Sequence, residues 1–293
     1  MTGVLWAAAS GIGFGFFQSL NVRAVRQLDD VYVSTFLQLA VAAVVLLAVC
    51  LAVGDLSLLG GASAWAIASF ALAGLLHFFL GWTFLNVSQD RIGAARTSPL
   101  LTTVPLFGVV IAAVSLGQLP DAAALGGIAV MMIGALVISA PRSELELGWS
   151  DSVFALTTAF LWALSPVFTL EGLDEVDSPL IGVTIGVVFS ALAYALVLAV
   201  APAERRSARG LPREGVVLKM ICGAVVALAT WGRWVALDLT AVGVVLALSL
   251  LAVPTVLLLA PMVAGRHLER VDARIWAGAS LVVGGSLLLI AWG

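Results

Sequence analysis

The chain has little charge. Asp, Glu, Lys and Arg make up 11% of its 293 residues, against 62% hydrophobic residues. That balance excludes an ordinary soluble domain and describes an integral membrane protein. No polar link between apolar runs is long enough to hold a soluble domain. Stretches of about ten residues with alternating polarity are absent, which excludes an outer-membrane β-barrel. Cysteine is scarce: Cys50 and Cys222 both fall inside apolar runs and read as small packing residues rather than a disulfide. The first residues lack a basic n-region, and their apolar stretch is interrupted by Gln18 and Asn21, so a cleaved signal peptide is not expected. Gly11, Gly13 and Gly15 follow no strand and form no phosphate loop. Paired intramembrane carboxylates, a metal triad and a Gly-x-Ser-x-Gly elbow are all missing. The expectation is therefore no enzyme, no cofactor, no metal and no nucleic-acid partner.

What is present is length without charge, used twice. Apolar runs of about twenty residues recur, each long enough to cross about 30 Å of hydrocarbon. Ten spans are predicted: 3–22, 31–53, 64–86, 92–116, 121–140, 152–170, 179–200, 215–237, 240–262 and 274–292. The third and fourth, and the eighth and ninth, are joined by minimal links at 87–91 and 238–240. A block at about 69–140 recurs at about 220–291. Gly93 echoes Gly243, Pro105 echoes Pro254, and Gly127 with Gly134 echoes Gly278 with Gly285. Self-similarity on this scale predicts two repeats, residues 1–145 and 146–293. Five spans per repeat is odd, so the second copy is inverted relative to the first. The predicted fold is an all-α membrane protein of ten helices forming one transport domain.

Charge sets the orientation. With ten spans, every lysine and arginine except Arg233 falls on the face opposite the termini. The positive-inside rule makes that face cytoplasmic and puts both termini outside. Tryptophans at span ends, such as Trp6, Trp65 and Trp276, suit an interfacial belt.

The run Gly-Ala-Ala-Arg-Thr-Ser-Pro-Leu-Leu at 93–101 and Phe-Leu-Trp-Ala-Leu-Ser-Pro at 160–166, in two five-span halves, resemble the EamA branch of the drug/metabolite transporters. His77 in mid-span three, Trp162 in the span-six motif and Trp234 twenty residues before Pro254 are most similar to YddG-type exporters of aromatic and other neutral amino acids. The resemblance implies a multi-pass transporter of the inner (plasma) membrane. This chain departs from that subfamily in its uncharged termini.

Several polar and aromatic residues fall deep in the spans. His77 is the one ionisable residue near the middle of any span; it either faces a polar cavity or bonds a neighbouring helix. Trp162 lies near the midplane, where its N–H needs a partner, and either lines a cavity or packs in the core. Trp231 and Trp234 share a face near the outer end of span eight, as site or as belt. Arg233 between them is expected to point elsewhere, to snorkel, to pair with Asp238, or to draw in a carboxylate. Phe14, Phe17 and Gln18 stand out in span one. Ser165 with Pro166 is placed to free a backbone carbonyl, which membranes tolerate only beside protein or a cavity. Ser98 and Thr102 share a face in span four, Ser249 is their counterpart in span nine, and each lines the cavity or bonds back to its own helix. Arg96 is an inner gate or snorkels; Pro99, Pro105 and Pro254 are candidate bending points for gating.

The predicted function is a secondary transporter moving small neutral, best aromatic, amino acids by alternating access around a midplane cavity. Exporters of hydrophobic cations or other metabolites are the alternative. The partners are a small-molecule substrate and the lipid bilayer. One chain encloses a complete site, so a monomer suffices and oligomerisation is left open.

Overall fold

The structure, a computed structural model, describes residues 1–28, 30–92, 100–139, 149–200, 211–263 and 273–292. Among them every regular element is helical: α1 Thr2–Leu28, α2 Val31–Val53, α3 Ala64–Gly74, α4 Trp82–Ile92, α5 Val104–Leu116, α6 Ala122–Ser139, α7 Trp149–Leu173, α8 Pro179–Val200, α9 Arg213–Leu239, α10 Val242–Leu248, α11 Ala252–Val263 and α12 Ala273–Trp292. A π-helical turn, Leu75–Gly81, joins α3 to α4, and a 3-10 turn, Ser249–Leu251, joins α10 to α11.

Among the described residues six stretches are long and apolar enough to cross a membrane: Thr2–Asn21, Val31–Val53, Ala64–Ser88, Ser152–Leu173, Pro179–Val200 and Arg213–Leu239. Shorter apolar helices cover Val104–Leu116, Ala122–Val137, Val242–Val256 and Trp276–Gly285. The chain is a multi-pass membrane protein. Residues 93–99, which hold the predicted Arg96, Ser98 and Pro99, lie outside the described residues.

Helix ends follow their sequence. Asp30 caps α2, its carboxylate accepting from the Tyr32 and Val33 N–H groups at 2.8 and 3.0 Å. Ser63 caps α3 and is itself held by Glu175, whose two oxygens accept from the Ser63 N–H and hydroxyl. α5 ends at Gly117 with φ +64°, a left-handed conformation that glycine adopts without penalty. Gln118 then reaches the next tight link, its side-chain oxygen accepting from the Val242 N–H at the start of α10.

Two predicted boundaries are corrected. The link expected at 87–91 is helical, because α4 continues to Ile92. Its polar turn has partners that make a loop unnecessary: Asn86 donates to Thr35 Oγ1, and Ser88 is fully buried. α1 also runs past residue 22 to Leu28, where Arg23 forms an ion pair with Glu214 in the first turn of α9.

α1 packs along α9 and α11, α9 also against α2, and α2 against α8. α3 and the π turn lie against α7 and α8, α5 touches α7 and α10, and α6 pairs with α12. Three contacts recur at a nearly constant offset. The Ser10 hydroxyl donates to the Ala229 carbonyl, and the Thr158 hydroxyl to the Gly81 carbonyl; 10 to 158 and 81 to 229 are the same step of 148. A Cβ on Gly74 would meet the Gly186 carbonyl oxygen at 2.2 Å, and one on Gly223 the Gln38 carbonyl oxygen at 2.8 Å. Gly134 and Gly285 each face the carbonyl of a glycine on the partner helix, Gly278 and Gly127, at 2.7 and 2.8 Å. Small residues at such crossings let helices approach closely where lipid offers no hydrophobic drive.

These crossings leave no room for a methyl group. Gly134→Ala is expected to lower thermal stability by about 1–3 kcal/mol through overpacking, read as a melt in detergent. Gly126→Ala on the same helix, with nothing within 4 Å of its Cβ, should leave the melt unchanged. Equal melts for the two variants would refute the close α6–α12 crossing.

Candidate functional site

Broken helices surround the site. Proline has no N–H, so inside a helix the carbonyl four residues earlier loses its donor. Pro166, within α7, thereby deprives the Trp162 carbonyl, while Pro105 and Pro254 stand in the first turns of α5 and α11, just after helix breaks. Leu101, Trp162 and Leu250, each four residues before one of these prolines, line one cavity. Its walls come from α1 (Phe14, Phe17, Gln18, Asn21), α2 (Gln38), the π turn (His77), α4 (Trp82, Leu85, Asn86), the stretch before α5 (Leu101, Thr102), α7 (Trp162), α9 (Arg233) and the α10–α11 junction (Ser249, Leu250). The volume is ≈ 90 Å³. One water takes roughly 10–15 Å³ on this measure, so the space is that of about six to nine waters, enough for a small organic solute.

The Trp162 carbonyl is reclaimed by side chains. Arg233 Nη2 donates to it at 3.3 Å and the Ser165 hydroxyl at 3.4 Å. The π turn opposite makes a matching demand, because its i→i+5 geometry leaves carbonyls poorly served by the helix itself. The Trp162 indole N–H donates to the His77 carbonyl at 3.1 Å, and the Thr158 hydroxyl to the Gly81 carbonyl at 3.4 Å. His77 Nδ1 pairs with the Ser165 hydroxyl at 3.1 Å, and its ring stacks on Trp162 with centroids 5.4 Å apart. Gly81 permits this closeness, since a Cβ there would stand 2.5 Å from the indole nitrogen. A second aromatic pair, Phe17 stacked on Trp82 at 6.2 Å, forms the other wall.

The polar end is built around a buried lysine. Lys219 is 0% exposed, and its Nζ donates to Asn21 Oδ1 and Gln38 Oε1. Both amides line the cavity.

Residues 1–140 match the EamA-like transporter family. That match covers α1 to α6, and so the cavity residues Phe14 to Thr102, while Trp162, Arg233 and Ser249 stand on the remainder of the chain. No curated protein matches the chain. Twenty-five chains of solved structures do match it. One, described only as "Crystal structure of protein", is 18% identical with a TM-score of 0.73, covering 96% of this chain and 95% of its own. At that identity the likeness is one of fold.

Of the sequence-predicted residues, Phe14, Gln18, His77, Thr102, Trp162 and Ser249 meet at the cavity. Ser165 stands directly behind His77. Trp231 and Trp234 do not reach the wall: Trp234 is buried against Phe70, centroids 5.8 Å apart, and Trp231 packs on the same apolar cluster. Pro105 and Pro254 are buried where their spans break, after the turn at 102–103 and the 3-10 turn at 249–251. Arg233 is a correction. It neither snorkels nor turns away, but is 6% exposed and lines the cavity. Lys219, in the first turns of the span predicted at 215–237, is buried and reaches from α9 to side chains of α1 and α2. Asn21, Gln38 and Asn86 were missed as site residues. Their signal was a polar amide inside or at the edge of an apolar run, which hydropathy averages away.

Restoring an N–H at residue 166 would give the Trp162 carbonyl its own helical donor and compete with Arg233. Pro166→Ala is expected to raise the melting temperature by a few degrees while weakening solute binding. A lower melting temperature would mean that the freed carbonyl is not the constraint on α7.

Proposed function

We propose that the protein is a secondary transporter moving small neutral amino acids, aromatic ones best, across the inner membrane by alternating access. The carrying observation is the cavity itself: one aromatic-walled chamber of solute size, lined from both halves of the chain where three helices are interrupted beside a proline. Irregular backbone of this kind is tolerated at membrane depth where it lines a polar cavity. The EamA-like match over residues 1–140 supports a transporter.

The mechanism rests on two inverted repeats, 1–145 and 146–293. In their favour, helix contacts come in pairs that exchange under a step of about 150 residues: Ser10–Ala229 with Thr158–Gly81, Gly74–Gly186 with Gly223–Gln38, and Gly134–Gly278 with Gly285–Gly127. Such a relation supplies two conformations in which the halves swap roles around a shared site. The breaks at 102–103 and 249–251, each followed by a proline, are the matching places for the helices to bend. His77 and Trp162, stacked on one another, form one wall of the solute chamber and link the π turn to α7.

In proteoliposomes preloaded with amino acids, counterflow of labelled Phe, Trp and Leu is expected. His77→Ala and Trp162→Ala should each lower it about tenfold or more with insertion intact, the loss of one aromatic or polar anchor being worth ~1.4 kcal/mol. Counterflow at the wild-type rate in both variants would remove the midplane site. The charge distribution also places the termini outside. A cysteine substituted at Trp292 should react with an impermeant thiol reagent on intact cells, and labelling only after permeabilisation would reverse the orientation.

A further inference from the structure

We infer that Arg233 is the carboxylate-binding residue of the cavity, and that the site takes organic solutes bearing a carboxylate while rejecting cations. This rests on the transporter reading and names the charge its solute must carry. Arg233 is buried, lines the cavity and offers five N–H donors. Among the described residues one bond is recorded for it, to the Trp162 carbonyl, and no acidic side chain pairs with it. A desolvated guanidinium without a counter-ion is costly, and its planar fork matches a carboxylate with two parallel hydrogen bonds. The solute itself is the missing acid.

The far end of the cavity has the same polarity for a different reason. Lysine donates and never accepts, so Lys219 obliges Asn21 and Gln38 to turn their side-chain oxygens towards it. Each amide is thereby left with both N–H donors of its NH₂ group and one remaining oxygen lone pair. Lys219 precedes Arg233 by fourteen residues on one helix, about 21 Å along its axis. The chamber is therefore positive and donor-rich at both ends with stacked aromatic rings between. An amphipathic carboxylate with an aromatic or aliphatic body fits that arrangement. A hydrophobic cation meets Arg233 in the wall and Lys219 behind it, with no acid among the described lining residues.

Three labelled probes of one shape separate the outcomes in counterflow with the full chain: phenylalanine, 3-phenylpropionate and phenethylamine. The two carboxylates should accumulate and the amine should not. Arg233→Met should lose carboxylate counterflow by about tenfold or more, and Arg233→Lys should keep a measurable part of it. Melting separates a ligand-binding role from a structural one. Whatever the melting temperature of Arg233→Met itself, 3-phenylpropionate should raise that of wild type and leave that of the variant unmoved. Accumulation of phenethylamine, or carboxylate counterflow unchanged in Arg233→Met, would overturn the assignment and leave the transporter reading standing. Failure of all three probes in both counterflow and melting would overturn both.

Discussion

In hydrocarbon a backbone carbonyl without a donor costs several kcal/mol, and no solvent is at hand to replace it. That constraint explains more of this molecule than hydrophobic burial does. Pro166 removes the donor of the Trp162 carbonyl, and the π turn at Leu75–Gly81 disturbs another set of carbonyls across the interface. The remedies are reciprocal: Trp162 gives its indole N–H to the π turn, and Arg233 and Ser165 serve the carbonyl of Trp162. Each polar side chain at this depth therefore does two things. It satisfies a broken helix, and it supplies the chemistry of the chamber that the break opens.

The same economy governs how the helices meet. Lipid gives no hydrophobic reward for helix association, so close contact has to come from small residues and a few buried hydrogen bonds. The crossings that recur at the half-chain offset are of this type, glycine against a facing carbonyl or hydroxyl against carbonyl. Contacts of this kind are tight but shallow. They hold a helix at a fixed distance without the interlocking side chains that would have to be dismantled before it could slide or tilt. Bulky interdigitation is instead kept for the two apolar clusters, and Trp162 touches both of them.

Depth along a helix was legible in the sequence; rotation about its axis was not. His77 and Trp162 stood out because both sit mid-span where polar atoms are expensive, and both line the chamber. Ser165 before Pro166 was legible as a carbonyl-freeing pair for the same reason. Trp231 and Trp234 were chosen by residue type and depth, yet their face of α9 packs on Phe70 and its cluster. Arg233, between them, faces the chamber because it lies a turn's fraction away. Lys219 and Asn21 fall near the ends of the predicted spans 215–237 and 3–22, because span length was matched to the bilayer. α1 and α9 are each 27 residues, longer than a straight crossing needs. Both helices run on past the predicted limits, so the two residues lie within helices and meet there.

Lys219 shows how a residue outside the wall sets what the wall presents. An amide side chain can offer an acceptor or a donor by turning over, so Asn21 and Gln38 alone would be neutral as to the sign of a bound group. With an ammonium fixed behind them, only one orientation keeps their oxygens bonded. An apolar residue at 219 would release both amides to turn and let that end accept a cation as readily as an anion. Asn86, which also lines the chamber, is held the opposite way: its NH₂ group donates to Thr35, which leaves its oxygen uncommitted. A zwitterion asks for that mixture: donors to hold its carboxylate, with an acceptor and aromatic faces in reach of its ammonium. The amino acid reading and the carboxylate assignment thus lean on the same few side chains, and the sign of the site is decided one layer behind its surface.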